Sequence, residues 1–146
     1  MIFQRINRTD AETVFVIVYN VAGATLTAGY ACRWDIATAD GIRVTQPTTA
    51  TFSLLVGLAN ADIVDSAYGL VQVYGYRASG FVTNDTSVAI VAGDMLVPVT
   101  ATYRLARQGA GNATVIGGSG HIMAGEAFAT ATTPAAANQK VFIRAL

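Results

Sequence analysis

Thr13 to Asn20 reads Thr-Val-Phe-Val-Ile-Val-Tyr-Asn, and this run constrains the fold more than any other stretch of the chain. It is dense in β-branched and aromatic residues, which suit a pleated surface and lose side-chain freedom in a helix. It predicts a strand. Gly29 to Ile36 predicts a second. There Tyr30, Cys32 and Trp34 alternate with Ala31, Arg33 and Asp35, a period of two that puts the first three on one face, expected to be the core face. Leu70, Val71, Val73, Tyr74 and Tyr76 make another strand, with Gly69 and Gly75 marking a bulge or a close backbone approach. Phe81-Val82, Val88 to Val91 and Met95 to Val99 read as short strands, with Ala92-Gly93-Asp94 as a turn and Pro98 suited to an edge or a strand end. His121 to Phe128 and Val141 to Leu146 are the last strand candidates.

Other segments are less clear. Residues Ile2 to Ile6 fit a first short strand or an extended arm. Phe52, Leu55, Val56 and Ala59 have helical spacing, yet Gly57 interrupts them, so a short helix and a buried strand both remain open. Asn60 to Ser66 reads as a turn, Arg104 to Gly120 as a long exposed loop, and Thr130 to Asn138 as a connector. No repeat and no amphipathic helix stands out. The expectation is one mostly-β domain over residues 1–146: a small β-barrel or sandwich with an N-terminal arm or hairpin over residues 1–8 and long Gly-rich loops, above all 104–120.

A chain of 146 residues suffices for one such core. Cys32 is the only cysteine, cannot pair within the chain, and reads as a small buried hydrophobe. Only 12% of residues are charged, against about 25% in ordinary domains. Lys140 is the single lysine, and the formal net charge is zero, a balance that promotes association. Two readings stay open: a surface covered by neighbours, or a bland Thr/Ala-rich surface from compositional bias. The arginines are scattered and matched by acids, which argues against nucleic acid. The longest apolar run near the start is far short of the ~20 residues a spanning helix needs, so no membrane partner is expected. The first residues lack the order of a cleaved leader. The three Asn-x-Thr matches, at Asn7, Asn84 and Asn112, read as chance in a Thr-rich chain.

Catalysis needs reactive groups that converge. His121 is the only histidine and lies among glycines, where a loop role is the natural reading. Gly117-Gly118-Ser119-Gly120 misses the nucleophile-elbow pattern, because His121 stands where its last glycine should be. One His and one Cys cannot build a Cys/His zinc site. Asp62 and Asp65 could hold calcium or act as an acid–base pair, but they read better as turn or cap residues. The glycine segments lack the Lys-Ser/Thr ending of a phosphate loop. No catalytic residue, metal or cofactor is expected, and the chain is read as no enzyme.

One order of segments has a counterpart elsewhere. Phe52 to Tyr76 reads FSLLVGLANADIVDSAYGLVQVYGY, and Ser87 to Val99 reads SVAIVAGDMLVPV. A Gly-rich stretch and the apolar Ile122 to Phe128 follow. This order resembles the small β-barrel head decoration (cement) proteins of tailed phages. The resemblance covers the central and C-terminal two-thirds. It implies a homotrimer on the outer surface of a capsid, bound to the major capsid protein, made in the host cytoplasm and carried on the virion. It implies no catalytic residues. Ile2, Phe3, Arg5, Ile6 and Arg8 precede the resembling region and are the expected contact with the shell or a neighbouring subunit. The competing readings are another virion component, such as a tail-tube, fibre or spike subunit, and a carbohydrate-binding β module using Tyr30, Trp34, Tyr74 and Tyr76.

Overall fold

The computed structural model describes residues 12–38, 40–47, 54–84, 89–99, 102–108, 122–129 and 135–145. These carry nine strands: β1 Val14–Asn20, β2 Ala31–Trp34, β3 Arg43–Thr45, β4 Leu55–Ala59, β5 Tyr68–Thr83, β6 Met95–Pro98, β7 Leu105–Arg107, β8 Ile122–Ala124 and β9 Ala136–Arg144. The fold is mostly β, a closed five-stranded barrel with extra strands.

All nine strands join one sheet in the order β1-β3-β2-β4-β5-β7-β6-β8-β9, with two further pairings, β1–β5 and β5–β9. Each further pairing closes a circuit. The N-terminal ring runs β1-β3-β2-β4-β5 and back to β1; the C-terminal ring runs β5-β7-β6-β8-β9 and back to β5. Closure removes the unpaired edges that open sheets expose. The 16 residues of β5 make it long enough to belong to both rings. Its first half pairs antiparallel with β1, from Tyr68 opposite Tyr19 to Tyr74 opposite Val14. Its second half pairs antiparallel with β9, from Tyr74 opposite Arg144 to Thr83 opposite Ala136.

Two apolar cores correspond to the two rings. Val18, Leu26, Cys32, Val44, Ile63, Val71 and Val73 fill the first. Val82, Ile90, Leu96, Leu105, Ile122, Val141 and Ile143 fill the second. Strand β4 serves both: Leu55 and Leu58 enter the second core, Val56 and Ala59 the first. A strict period of two could not divide the residues this way. The pairing of β2 with β4 shifts register here, with Cys32 opposite Gly57 and Arg33 opposite Leu55, so Val56 is the extra residue of a bulge. Gly57 has φ +155°, and a side chain there would run into the Gln72 carbonyl of β5. Only glycine lets β4 bend between the cores at this point.

Several ambiguous segments take a definite form. Leu55–Ala59 forms the buried strand β4, because both faces of that segment are covered by a core, and Phe52 lies outside the described residues. Phe81-Val82 continues β5 instead of starting a new strand. Ile90 makes an isolated bridge with Phe128. Part of the expected 104–120 loop is strand β7, and the expected connector 130–138 already contains the start of β9 at Ala136. Pro98 ends β6. The arm at 1–8 and the glycine-rich stretch 109–121 lie outside the described residues.

Candidate functional site

Strand β1 is apolar on both faces but buried on one. Val14, Val16 and Val18 pack toward the first core. Phe15, Ile17 and Tyr19 point the other way, and Ile17 is 69% exposed. The antiparallel register sets Ile17 opposite Leu70 and Tyr19 opposite Tyr68. Leu70 is 43% and Tyr68 69% exposed, and the rings of Tyr19 and Tyr68 lie 5.0 Å apart. The patch continues past Tyr19 to Ile42, where the Asp40–Arg43 ion pair at 3.2 Å marks its rim. The backbone N–H groups of Ile42 and Arg43 both donate to Asp40 and hold its carboxyl below the usual range. A half-solvated barrel strand normally carries polar residues outside. Here Phe, Ile, Leu and Tyr form one uncharged ladder, the kind of patch that marks an interaction surface.

The expected face of Tyr30, Cys32 and Trp34 divides. Cys32 is fully buried, and burial pushes its thiol up to about 12. Trp34 packs against the first core but is only half-buried. Tyr30 enters neither core. It precedes β2, in a turn closed by its N–H to the Thr27 carbonyl, so strand alternation does not govern it. Its ring stacks on Tyr103 at 4.7 Å and on Phe81 at 5.4 Å, and the Arg104 guanidinium lies 5.8 Å from the Phe81 ring centre. Gln46 and Thr102 complete an open cleft of about 290 Å³ where the two rings meet. Burial raises the Tyr103 hydroxyl pKa and keeps it a protonated donor. The sequence reading assigned Tyr30 to the core; the turn at Thr27-Ala28-Gly29 was the signal against that.

Between the rings, Arg77 is buried on β5 with no carboxylate beside it among the described residues. Its Nε donates to Ser79 O at 3.1 Å, and its terminal nitrogens reach Asn60 O at 3.3 Å and the Asn60 and Gln72 side-chain oxygens at 3.5 Å. Gln72 in turn donates to Tyr74 O and Tyr76 O. This network gives each guanidinium nitrogen a partner, as a buried cation requires.

Asp62 and Asp65 act as loop ties: Asp62 accepts the Ala28 N–H at 2.9 Å and Asp65 the Gly23 N–H at 2.8 Å. His121 and the five arm residues Ile2, Phe3, Arg5, Ile6 and Arg8 lie outside the described residues. Among the described residues no three His, Cys, Asp or Glu side chains gather as a metal site. No protein-family model matches the chain, and no curated protein matches it.

Proposed function

We propose that this chain is a structural subunit of a symmetric assembly, a decoration protein that binds the outside of a phage capsid as an oligomer and stabilises it. The observation that carries this reading is the uncovered ladder Phe15, Ile17, Tyr19, Leu70 and Tyr68, on a strand with the composition of one buried on both sides. A neighbour covering that face removes apolar area from water, at about 25 cal/mol per Å². Many identical weak contacts on a shell then add through avidity. The low charge fits the same picture, since interfaces are depleted in lysine and acids.

Sedimentation velocity at micromolar concentration tests the first half, and a trimer is the expected species. Co-sedimentation with purified capsids tests the second. Ile17→Lys with Leu70→Lys should weaken shell binding at least tenfold while leaving the fold intact. A wild-type monomer that binds no shell overturns the reading.

The cleft of Tyr30, Gln46, Phe81, Thr102, Tyr103 and Arg104 favours a second reading, a carbohydrate-binding β module. Aromatic rings beside an amide, a hydroxyl and a guanidinium are the groups a sugar needs for stacking and hydrogen bonding. Saturation-transfer NMR with a panel of oligosaccharides, repeated on Tyr103→Ala, decides it.

A further inference from the structure

The cleft where the two rings meet is held open by main-chain bonds around Tyr30. The Phe81 N–H donates to the carbonyl of Gly29, one residue before it. The Tyr103 carbonyl accepts the N–H of Ala31, one residue after it. Tyr30 itself closes its own turn on Thr27. These bonds draw three distant segments together and fix Tyr30 between Tyr103, 4.7 Å away, and Phe81, 5.4 Å away. A site arranged before its ligand arrives avoids part of the ordering cost of binding.

Charge says what kind of ligand this site prefers. Tyr30, Gln46, Phe81, Thr102, Tyr103 and Arg104 line the cleft, with no Asp or Glu among them. The other described cations are engaged elsewhere. Arg43, Arg107 and Lys140 pair with Asp40, Asp94 and Glu126. Arg33 donates to the Gln46 and Trp34 carbonyls, Arg77 lies in its buried network, and Arg144 has a partner of its own. Arg104 is exposed, lies 5.8 Å from the Phe81 ring centre, and has no carboxylate partner among the described residues. A guanidinium beside a ring keeps its planar fork of N–H donors, which matches a carboxylate. Thr102 and Gln46 add a hydroxyl and an amide, and the Tyr103 hydroxyl stays a protonated donor. At about 290 Å³ the open cleft is at the lower end of small-ligand sites, about 300–1,000 Å³, as suits one residue of a longer chain.

We infer that this cleft takes a sugar residue carrying a carboxylate, a uronic or sialic acid within an acidic oligosaccharide. Arg104 receives the carboxylate, the aromatic side chains pack against the sugar's C–H groups, and Thr102 and Gln46 meet its hydroxyls. This rests on the carbohydrate reading above and names its ligand class.

The test is titration calorimetry and saturation-transfer NMR on the full chain. The probes are oligosaccharides containing glucuronate, galacturonate or sialic acid, the methyl ester of each, neutral counterparts, and glucose 6-phosphate. At least one acidic oligosaccharide should bind, and its methyl ester should bind at least tenfold more weakly. Added salt should weaken the acidic form and not the ester. Arg104→Gln should reproduce the loss seen on esterification, since it removes the other half of the same pair. Arg107→Gln removes a cation already paired with Asp94 and should leave binding unchanged. A melt followed by circular dichroism checks that both variants are folded. If the esters and neutral sugars bind as well as the acids, or if Arg104→Gln binds the acid as the wild type does, the inference fails and the carbohydrate reading stands. If glucose 6-phosphate binds and no uronic or sialic acid does, the carboxylate assignment is wrong. If no sugar binds, both fail.

Discussion

The two rings share a strand and differ in what they show to solvent. The C-terminal ring carries ion pairs on its surface: Arg107 with Asp94 at 2.7 Å and Lys140 with Glu126 at 3.2 Å. Among the described residues the N-terminal ring has its Asp40–Arg43 pair at the rim of the apolar ladder, and Phe15, Ile17, Leu70 and Tyr68 occupy the wall itself. Both interiors are filled in the same way, so the difference is not one of folding. Surface ion pairs add little stability, with a median of about 0–1 kcal/mol, but they keep a wall wetted. The ring whose described pair sits only at the rim of its apolar wall is the one we propose for the partner.

The shared strand makes a strong demand on this comparison. If β5 welds the rings, damage to either core must unfold both. Gly57→Ala is the largest test, because its new Cβ meets the Gln72 carbonyl, which is backbone and cannot swing aside. A loss of about 3–4 kcal/mol is expected, from strain and overpacking together. Leu26→Ala in the first core and Ile143→Ala in the second come next, both at fully buried sites. Each should cost about 3 kcal/mol. Urea unfolding followed by Trp34 fluorescence in the N-terminal ring and by circular dichroism should give coincident curves for all three variants. Two separated transitions in either core variant would mean that the rings fold as independent units.

Cys32 sharpens the same question at smaller free energies. Its thiol lies in the first core, and burial holds it at about 12, so at pH 8 it is neutral and shielded. A maleimide or disulfide reagent should label it only during opening, slower than an unfolded thiol by a factor on the order of 10³ or more. If labelling follows the global unfolding free energy, the N-terminal ring opens only with the whole domain. Faster labelling, unchanged by Ile143→Ala, would show that the first ring opens on its own.

How much of this the sequence disclosed varies from element to element. Thr13 to Asn20 was legible because β-branched residues leave the helix little chance. That its outer face stays bare was not, since an apolar residue on either side of a strand looks alike in one dimension. The continuity of β5 was hidden because Phe81-Val82 reads as a separate short strand, while the close backbone approach expected at Gly75 is found. Gly75 makes room for the Glu12 backbone, and Gly80 for Val141. The double closure depends on β5 pairing with β9, from Tyr74 opposite Arg144 to Thr83 opposite Ala136, and nothing local encodes so distant a pairing. The Tyr30–Phe81–Tyr103 stack was missed for the same reason: its three rings come from three separate segments.

The smallest expected effect compares one exposed carboxylate from each ring. Asp40 opens β3 by accepting the N–H groups of Ile42 and Arg43; Glu126 accepts the Lys140 N–H at 2.7 Å and pairs with its ammonium. Backbone donation is the leading cause in both, and it lowers both pKa values from the ordinary carboxylate range. A carboxylate with a lowered folded pKa contributes its stability above its unfolded pKa, and the contribution is lost as pH falls through the folded one. Asp40→Asn and Glu126→Gln should therefore each lower Tm slightly at pH 6, and the gap from wild type should close as pH approaches 2. Both groups are exposed, so salt will shrink the charge-dependent part. Because Asp40 also fixes the rim of the apolar ladder, Asp40→Asn should weaken assembly as well as Tm. Glu126→Gln, on the wetted ring, should leave assembly unchanged. Equal effects of the two substitutions on assembly would break the assignment of the partner to the N-terminal ring.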